Sequence, residues 1–197
     1  MAKILILFAH PALEKSKVHK TLLKHVGNME DVYVNDLYEA YPEFDIDVER
    51  EQRLLLSHDI IIFQHPFYWY SAPALLKQWQ DLVLEHGWAY GKTGNRLAGK
   101  KVFNVISTGG SLSAYGETGR NRYTIRELLR PFEQTAYLCK MEYLPPFVVA
   151  DAYKIDPEEV RQQASHYQSL LTALKLSKLS GNYLAQTRYL NDIIPAS

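Results

Sequence analysis

A single cysteine, Cys139, is all the thiol in 197 residues. That excludes an internal disulfide and fits a reducing compartment; with no activating pattern around it, the residue reads as packed rather than nucleophilic. Net charge is absent as well. Lysine plus arginine and aspartate plus glutamate each number 22, so no overall field favours nucleic acid or an anionic membrane, and neutrality is compatible with self-association. No apolar run approaches membrane-spanning length, which leaves a soluble, cytoplasmic protein as the expectation. The histidines lack the paired spacing of metal ligands, so no metal site is expected. No G-x-G-x-x-G marks a dedicated nicotinamide site of Rossmann type. Gly91-Lys92-Thr93 has the look of a phosphate-binding loop, yet Gly87 stands one residue too near and no strand directly precedes it; chance accounts for it. There is no internal repeat or low-complexity block, and the length suits one domain with a full core.

What the chain does have is alternation, apolar strand-like runs each followed by an amphipathic helix. Met1 to Ala9 has the apolarity of a signal peptide, but it is short, carries one lysine and runs at once into His10-Pro11, so a first strand over Lys3–Phe8 is expected. Ser16 offers an N-cap to a helix whose packed face is Val18, Leu22 and Val26. Val32–Leu37 reads as strand two. A loop over Tyr41–Asp47 leads to a polar helix at Val48–Ser57, with Asp45 and Asp47 read as loop and cap residues rather than catalytic carboxylates. Asp59–Gln64 is a β-branched run suited to a central strand. The helix after Pro73 is expected to carry Leu75, Leu76, Trp79, Leu82, Val83 and His86 on one side. Lys101–Ser107 is strand four. A helix over Tyr123–Tyr137 is kinked or broken by Pro131. Strand five lies within 140–144 or runs past Pro145-Pro146 to Val149, and Pro157 opens the last helix. His58, His86 and His166 are read as helix residues. Strands alternating with helices call for an α/β fold, a doubly wound parallel sheet with right-handed crossovers. Residues 1–175 form the expected domain; the tail, 176–197, reads either as a partly helical arm across a neighbouring subunit or as disordered chain.

In such a sheet the loops leaving strands one, three and four share one rim, where open α/β sheets place ligands. Loop one, His10 to His19, ends at a helix N-terminus, whose free amides attract an anion; Ser16 and His10 can add donors. Equally, Ser16 merely caps and His10 merely finishes the strand. Loop two, Pro66 to Tyr70, offers amides and rings to a wide aromatic ligand, or forms an aromatic cluster in a subunit interface. Loop three, Ser107 to Gly116, pairs Gly109 with Gly110 so that main chain can approach a ligand, or is an ordinary surface loop. Each loop alone is indecisive; the three on one rim point to a ligand.

These residues carry a resemblance. His10-Pro11 followed by Ser16, then Pro66-Phe67-Tyr68-Trp69-Tyr70 with Pro73-Ala74-Leu75-Leu76-Lys77, then Thr108-Gly109-Gly110 with Tyr115, resembles the flavodoxin-like NAD(P)H:quinone oxidoreductases. Within them it is most similar to the KefF/KefG group, ancillary flavoproteins of bacterial glutathione-gated potassium efflux systems. Tyr41-Pro42-Glu43-Phe44-Asp45-Ile46-Asp47, His86-Gly87-Trp88-Ala89-Tyr90-Gly91 and Leu129-Arg130-Pro131-Phe132-Glu133 match that group too. The likeness runs from Lys3 to Leu174.

The resemblance implies a flavodoxin-like five-stranded parallel sheet of order 2-1-3-4-5. It also implies bound FMN, with FAD as the alternative, NAD(P)H as co-substrate, and a homodimer with sites at its interface. The reaction implied is two-electron, ping-pong hydride transfer to a quinone-like acceptor. By the same resemblance His10, Ser16, Val18 and His19 hold the flavin phosphate end. Pro66, Phe67, Tyr68, Trp69 and Tyr70 hold the ring, as do Ser107, Thr108, Gly109, Gly110 and Tyr115. The Tyr115 hydroxyl is the expected catalytic donor where charge develops. Trp88 and Tyr90 fall where the family sets aromatics over the substrate cavity. The chain departs from mammalian-type quinone reductases at Asn121, where they have a histidine. A rival reading, also carried by the resemblance, is a regulatory subunit that docks on a potassium efflux transporter at the inner face of the membrane. A one-electron carrier of flavodoxin type is disfavoured by the lack of strong acidity. NADH against NADPH, and the natural acceptor, stay open.

Overall fold

The computed structural model describes residues 1–179 and 187–193. The strands are β1 (Ile4–Phe8), β2 (Val32–Asp36), β3 (Ile60–Pro66), β4 (Lys101–Ser107), β5 (Glu142–Tyr143) and β6 (Phe147–Val149). All pair in parallel, in the order β2-β1-β3-β4-β5, with β6 also on β4. The sheet is therefore the expected doubly wound one, with one refinement. Lys101 and Val102 face β5 while Val105 to Ser107 face β6, so β5 and β6 are one edge strand in two pieces. Pro145-Pro146 lies between them, and proline has no N–H to give a ladder.

The helices are α1 (Lys17–Val26), α2 (Leu37–Ala40), α3 (Val48–Ser57), α4 (Ala74–Val83), α5 (Ile125–Leu128), α6 (Arg130–Leu138) and α7 (Pro157–Lys175). Three expectations change, and the kink or break expected at Pro131 resolves as a break. Leu37 opens α2 rather than closing strand two, because the Asp36 carboxylate accepts from the Tyr38 and Glu39 amides and caps a helix there. The helix over 123–137 is broken at Leu129 (φ −88°, ψ 1°), and Pro131 sits in the first turn of α6, where its missing N–H has no cost. α4 ends at Val83, so His86 lies beyond it, and Leu82 is 42% exposed rather than packed. His58 is the extended residue after α3, not part of it; His166 is on α7 as expected.

Alternation along β1 divides the core. Ile4, Ile6 and Phe8 pack with Val18, Leu22 and Val26 of α1 and with Tyr167 and Leu171 of α7. Leu5 and Leu7 face Leu75, Leu76 and Trp79 of α4 on the other side. With both faces covered, β1 is buried at every position, and each such side chain contributes about 1.5–3 kcal/mol by leaving water. Glu51 of α3, wholly buried, ties three elements together. It accepts from Asn35 Nδ2 (2.8 Å), Tyr41 OH (2.6 Å) and Trp79 Nε1 (2.8 Å), with Arg50 as its ion-pair partner.

Within the tail, the described stretch 187–193 lies on its own chain. Asn191 clasps Val148 by accepting from its N–H (2.7 Å) and donating to its C=O (3.0 Å), and Leu190 and Ile193 are buried. This covers the outer edge of β6, which otherwise presents unpaired amides. The two readings of the tail otherwise concern residues 180–186 and 194–197, which lie outside the described residues. Among the described residues no helix is long and apolar enough to cross a membrane.

Candidate functional site

The carboxyl ends of β1, β3, β4 and β6 meet around a cavity of about 620 Å³. Its first wall is the start of α1. Ser16 caps that helix by accepting from the His19 N–H at 3.1 Å, which leaves its own hydroxyl proton to donate and the first amides of the helix free. Lys15 and Lys17 line the same end, as do Ala12 and Val18. His10 accepts the Ala12 N–H on Nδ1 (3.1 Å), so its proton sits on Nε2. Burial holds this imidazole below its ordinary value, against the pull of the Glu14 carboxylate, so it is a neutral donor. Cations, amides and hydroxyls converging, with no carboxylate on the wall among the described residues, make an anion site.

The second wall is Pro66, Phe67, Tyr68 and Trp69. Here the chain leaves regular structure. Trp69 (φ 50°, ψ 43°) and Tyr70 (φ 62°) are consecutive left-handed residues with side chains, each costing about 1–3 kcal/mol and found where surroundings enforce it. The enforcement is visible. Phe67 N–H donates to Ser107 O (2.8 Å) and Ser71 N–H to Tyr68 O (2.9 Å), while the Tyr70 hydroxyl reaches Asn121 Oδ1 at 3.4 Å. Behind Pro66 runs a buried chain of donors: Tyr143 OH to Asn104 Oδ1 (2.6 Å), Asn104 Nδ2 to His65 Nε2 (3.0 Å), His65 Nδ1 to Pro66 O (2.9 Å). His65 stacks on Phe132 with centroids 5.6 Å apart, and burial pushes its pKa down to about 4.

Loop three contributes Ser107 and Gly109. A fourth loop, after β6, adds Ala152 and Tyr153 and is pinned to loop three by Ala152 N–H to Thr108 O (2.9 Å). A Cβ on Gly109 would stand 2.9 Å from the Tyr153 ring, so the glycine admits that ring against main chain.

Nine of the expected residues thus share one cavity: His10, Ser16, Val18, Pro66, Phe67, Tyr68, Trp69, Ser107 and Gly109. Others stand behind it. Thr108 is buried and donates to Gly110 O (2.8 Å), and Tyr115, 8% exposed, packs its ring 6.1 Å from that of Phe67. Burial, then the neighbouring Tyr70, raises the Tyr115 phenol above its usual value, so it keeps its proton. His19 is wholly buried and off the wall. Trp88 and Tyr90 are half-buried elsewhere, Tyr90 edge-on to His86 at 5.4 Å, and neither lines the cavity. Lys15, Lys17, Ala152, Tyr153, Asn104 and Tyr143 were not legible as site residues. For the fourth loop the signal was its place after the last strand, on the rim already singled out; for Asn104 it was a polar side chain inside an apolar strand.

A doubly wound sheet with an anion-holding helix start and an aromatic wall on one rim defines a class of α/β protein that takes a flat, phosphate-bearing ligand. The chain belongs to the family described as having a flavodoxin-like fold, which it matches over residues 2–171. The glutathione-regulated potassium-efflux system ancillary protein KefG of Enterobacter sp. (strain 638) is 46% identical over 172 residues, 87% of this chain and 94% of that one. Among solved structures, general stress protein 14 of Treponema denticola in complex with FMN is similar with a TM-score of 0.83 and 40% identity, over 87% of this chain and 99% of that one. An NADPH-quinone reductase from P. pentosaceus is similar with a TM-score of 0.78 and 38% identity, over 85% of this chain and 96% of that one.

Proposed function

We propose that this chain is an NAD(P)H:quinone oxidoreductase that works through bound FMN. The observation that carries this reading is the meeting of a cationic helix start and a strained aromatic wall around one cavity. A single phosphate and a single ring system match one anion site and one aromatic wall. The likeness to an FMN complex favours FMN over FAD, and the likeness to an NADPH-quinone reductase supports the reaction.

When bound, FMN supplies two-electron transfer between NAD(P)H and a quinone-like acceptor. The protein's own groups hold and shield it. Ser16, His10, Lys15, Lys17 and the first amides of α1 bind the phosphate, beside Val18. Pro66 to Tyr70 with Ser107 to Gly110 orient the ring and exclude water from it. Tyr115, protonated and preorganised, is the proposed donor to charge developing at the ring edge. Trp88 and Tyr90 lie off the cavity of their own chain, so their role over the substrate requires the partner subunit of a homodimer. Residues 1–175 form the flavin-binding unit in this reading, with 176–197 as its tail. Purified protein is expected to be yellow, to release FMN on heating as identified by mass, and to oxidise NAD(P)H when a quinone is present. A colourless protein that takes up neither FMN nor FAD overturns the reading.

The likeness to KefG favours a second role, as a regulatory subunit docked on a potassium-efflux transporter at the membrane's inner face. Capture by the transporter's cytoplasmic domain, set beside the NAD(P)H–quinone assay, separates the two. Capture without turnover leaves only the regulator; turnover without capture leaves only the enzyme.

A further inference from the structure

Beneath the cavity runs a line of buried side chains that crosses the sheet. Tyr167 of α7 donates its hydroxyl to Gln64 Oε1 of β3 at 3.2 Å. Gln64 Nε2 lies 3.5 Å from His19 Nδ1 on α1, and His19 Nε2 lies 2.9 Å from Ser107 Oγ at the end of β4. Tyr167, Gln64 and His19 have no exposed surface, whereas Ser107 lines the cavity.

The direction of the line is set by the member with least choice. Among the described residues, the Tyr167 hydroxyl has no acceptor other than Gln64, and a buried hydroxyl proton left without one is strongly disfavoured. Gln64 therefore turns its carbonyl to Tyr167 and its NH₂ to His19. His19 accepts on Nδ1, carries its proton on Nε2 and donates to Ser107 Oγ. The Ser107 hydroxyl proton, with no acceptor among the described residues, is left for the cavity. The reverse direction would take that proton into His19 and strand the one on Tyr167. Burial, with the nearby His10 and His65 adding to it, holds the His19 imidazole well below its ordinary value, so the ring stays neutral and cannot donate both ways.

We propose that Tyr167, Gln64 and His19 are positioning residues that hold the Ser107 hydroxyl as a hydrogen-bond donor to an acceptor atom of the bound ligand. His19 then acts through Ser107 rather than by touching a phosphate itself. The identity of the ligand rests on the FMN reading; the direction of the hydrogen bonds does not.

Histidine-selective nitrogen-15 labelling reads the tautomer in the wild-type protein, with or without FMN. The His19 ring is identified by its contacts to Ser107 and Gln64, or by loss of its signals in His19→Gln. It is expected as the neutral Nε2–H form from about pH 5 to about pH 8; an Nδ1–H form, or protonation in that range, overturns the proposal. In FMN titrations, Ser107→Ala is expected to bind roughly threefold to thirtyfold more weakly. Ser107→Thr should recover most of that loss, and Tyr167→Phe, which frees Gln64 to turn, should fall between. Equal affinity of Ser107→Ala and wild type overturns the hydroxyl's role. A wild-type protein that takes up no FMN strikes down the cofactor reading instead, and the His19 tautomer then decides the hydrogen-bond line by itself.

Discussion

The two walls of the cavity, Ser16 to Val18 and Pro66 to Tyr70, do adjoining tasks by different means. The first is regular: a capped helix start whose free amides exist in any helix, with two lysines added. The second is irregular, with two left-handed aromatic residues, one of them Trp69 at 92% exposure. An anion can be held by what regular structure leaves over. A flat ring needs side chains and amides where neither helix nor strand puts them, so the chain is bent out of regular structure and the strain is borne by neighbours.

The largest expected effect comes from acid acting on the support of the aromatic wall. Burial sets the folded value of His65 at about 4 against 6.5, with its bond to Pro66 O opposing. As pH falls, the unfolded chain takes the proton first. Stability is therefore whole above 6.5 and drains as pH drops to about 4, by roughly 3 kcal/mol in all; His19, also lowered by burial, adds in the same direction. Urea unfolding at neutral and mildly acid pH measures this, and His65→Gln should lessen the slope. An unchanged slope would place the acid sensitivity elsewhere.

Next comes Tyr115→Phe, which removes a donor behind Phe67 and is expected to slow flavin reduction by NAD(P)H roughly tenfold to a hundredfold. A wild-type rate in stopped flow removes Tyr115 from the mechanism. On the regular wall, Ser16→Ala loses both the cap and a phosphate donor. Melting should show about 1 kcal/mol less stability, and FMN titration a weaker complex; if only one of the two falls, cap and ligand site are not the same feature. The smallest stability effect belongs to Trp69→Gly. Relief of about 1–2 kcal/mol of left-handed strain is about half offset by glycine's entropy, about 0.5–1 kcal/mol. Stability should barely move while FMN affinity drops, the opposite pattern to Ser16→Ala. Parallel losses in the two variants would erase the contrast between the walls.

Much of this was legible beforehand because it is local. Ser16 three residues before His19, Pro131 in a helical stretch and Pro145-Pro146 in a strand each act within one turn or one ladder step. The short α2 was missed because Asp36 was read as a strand residue and not as a cap. The place of the His19 ring was hidden for a different reason. Its place in loop one looked like the phosphate site, but the α-helical turn carries its ring inward to Ser107, 88 residues away.

Alternating apolar periodicity, caps and prolines were enough to set the alternation of strands and helices and the rim that bears the loops, since each acts over a few neighbouring residues; the strand order came only with the family resemblance. Which buried polar groups meet was decided only by packing. Tyr167 and Gln64 are 103 residues apart, and they share a hydrogen bond because α7 lies across β3; no spacing along the chain encodes that, because a buried donor takes whichever acceptor the packed elements bring to it.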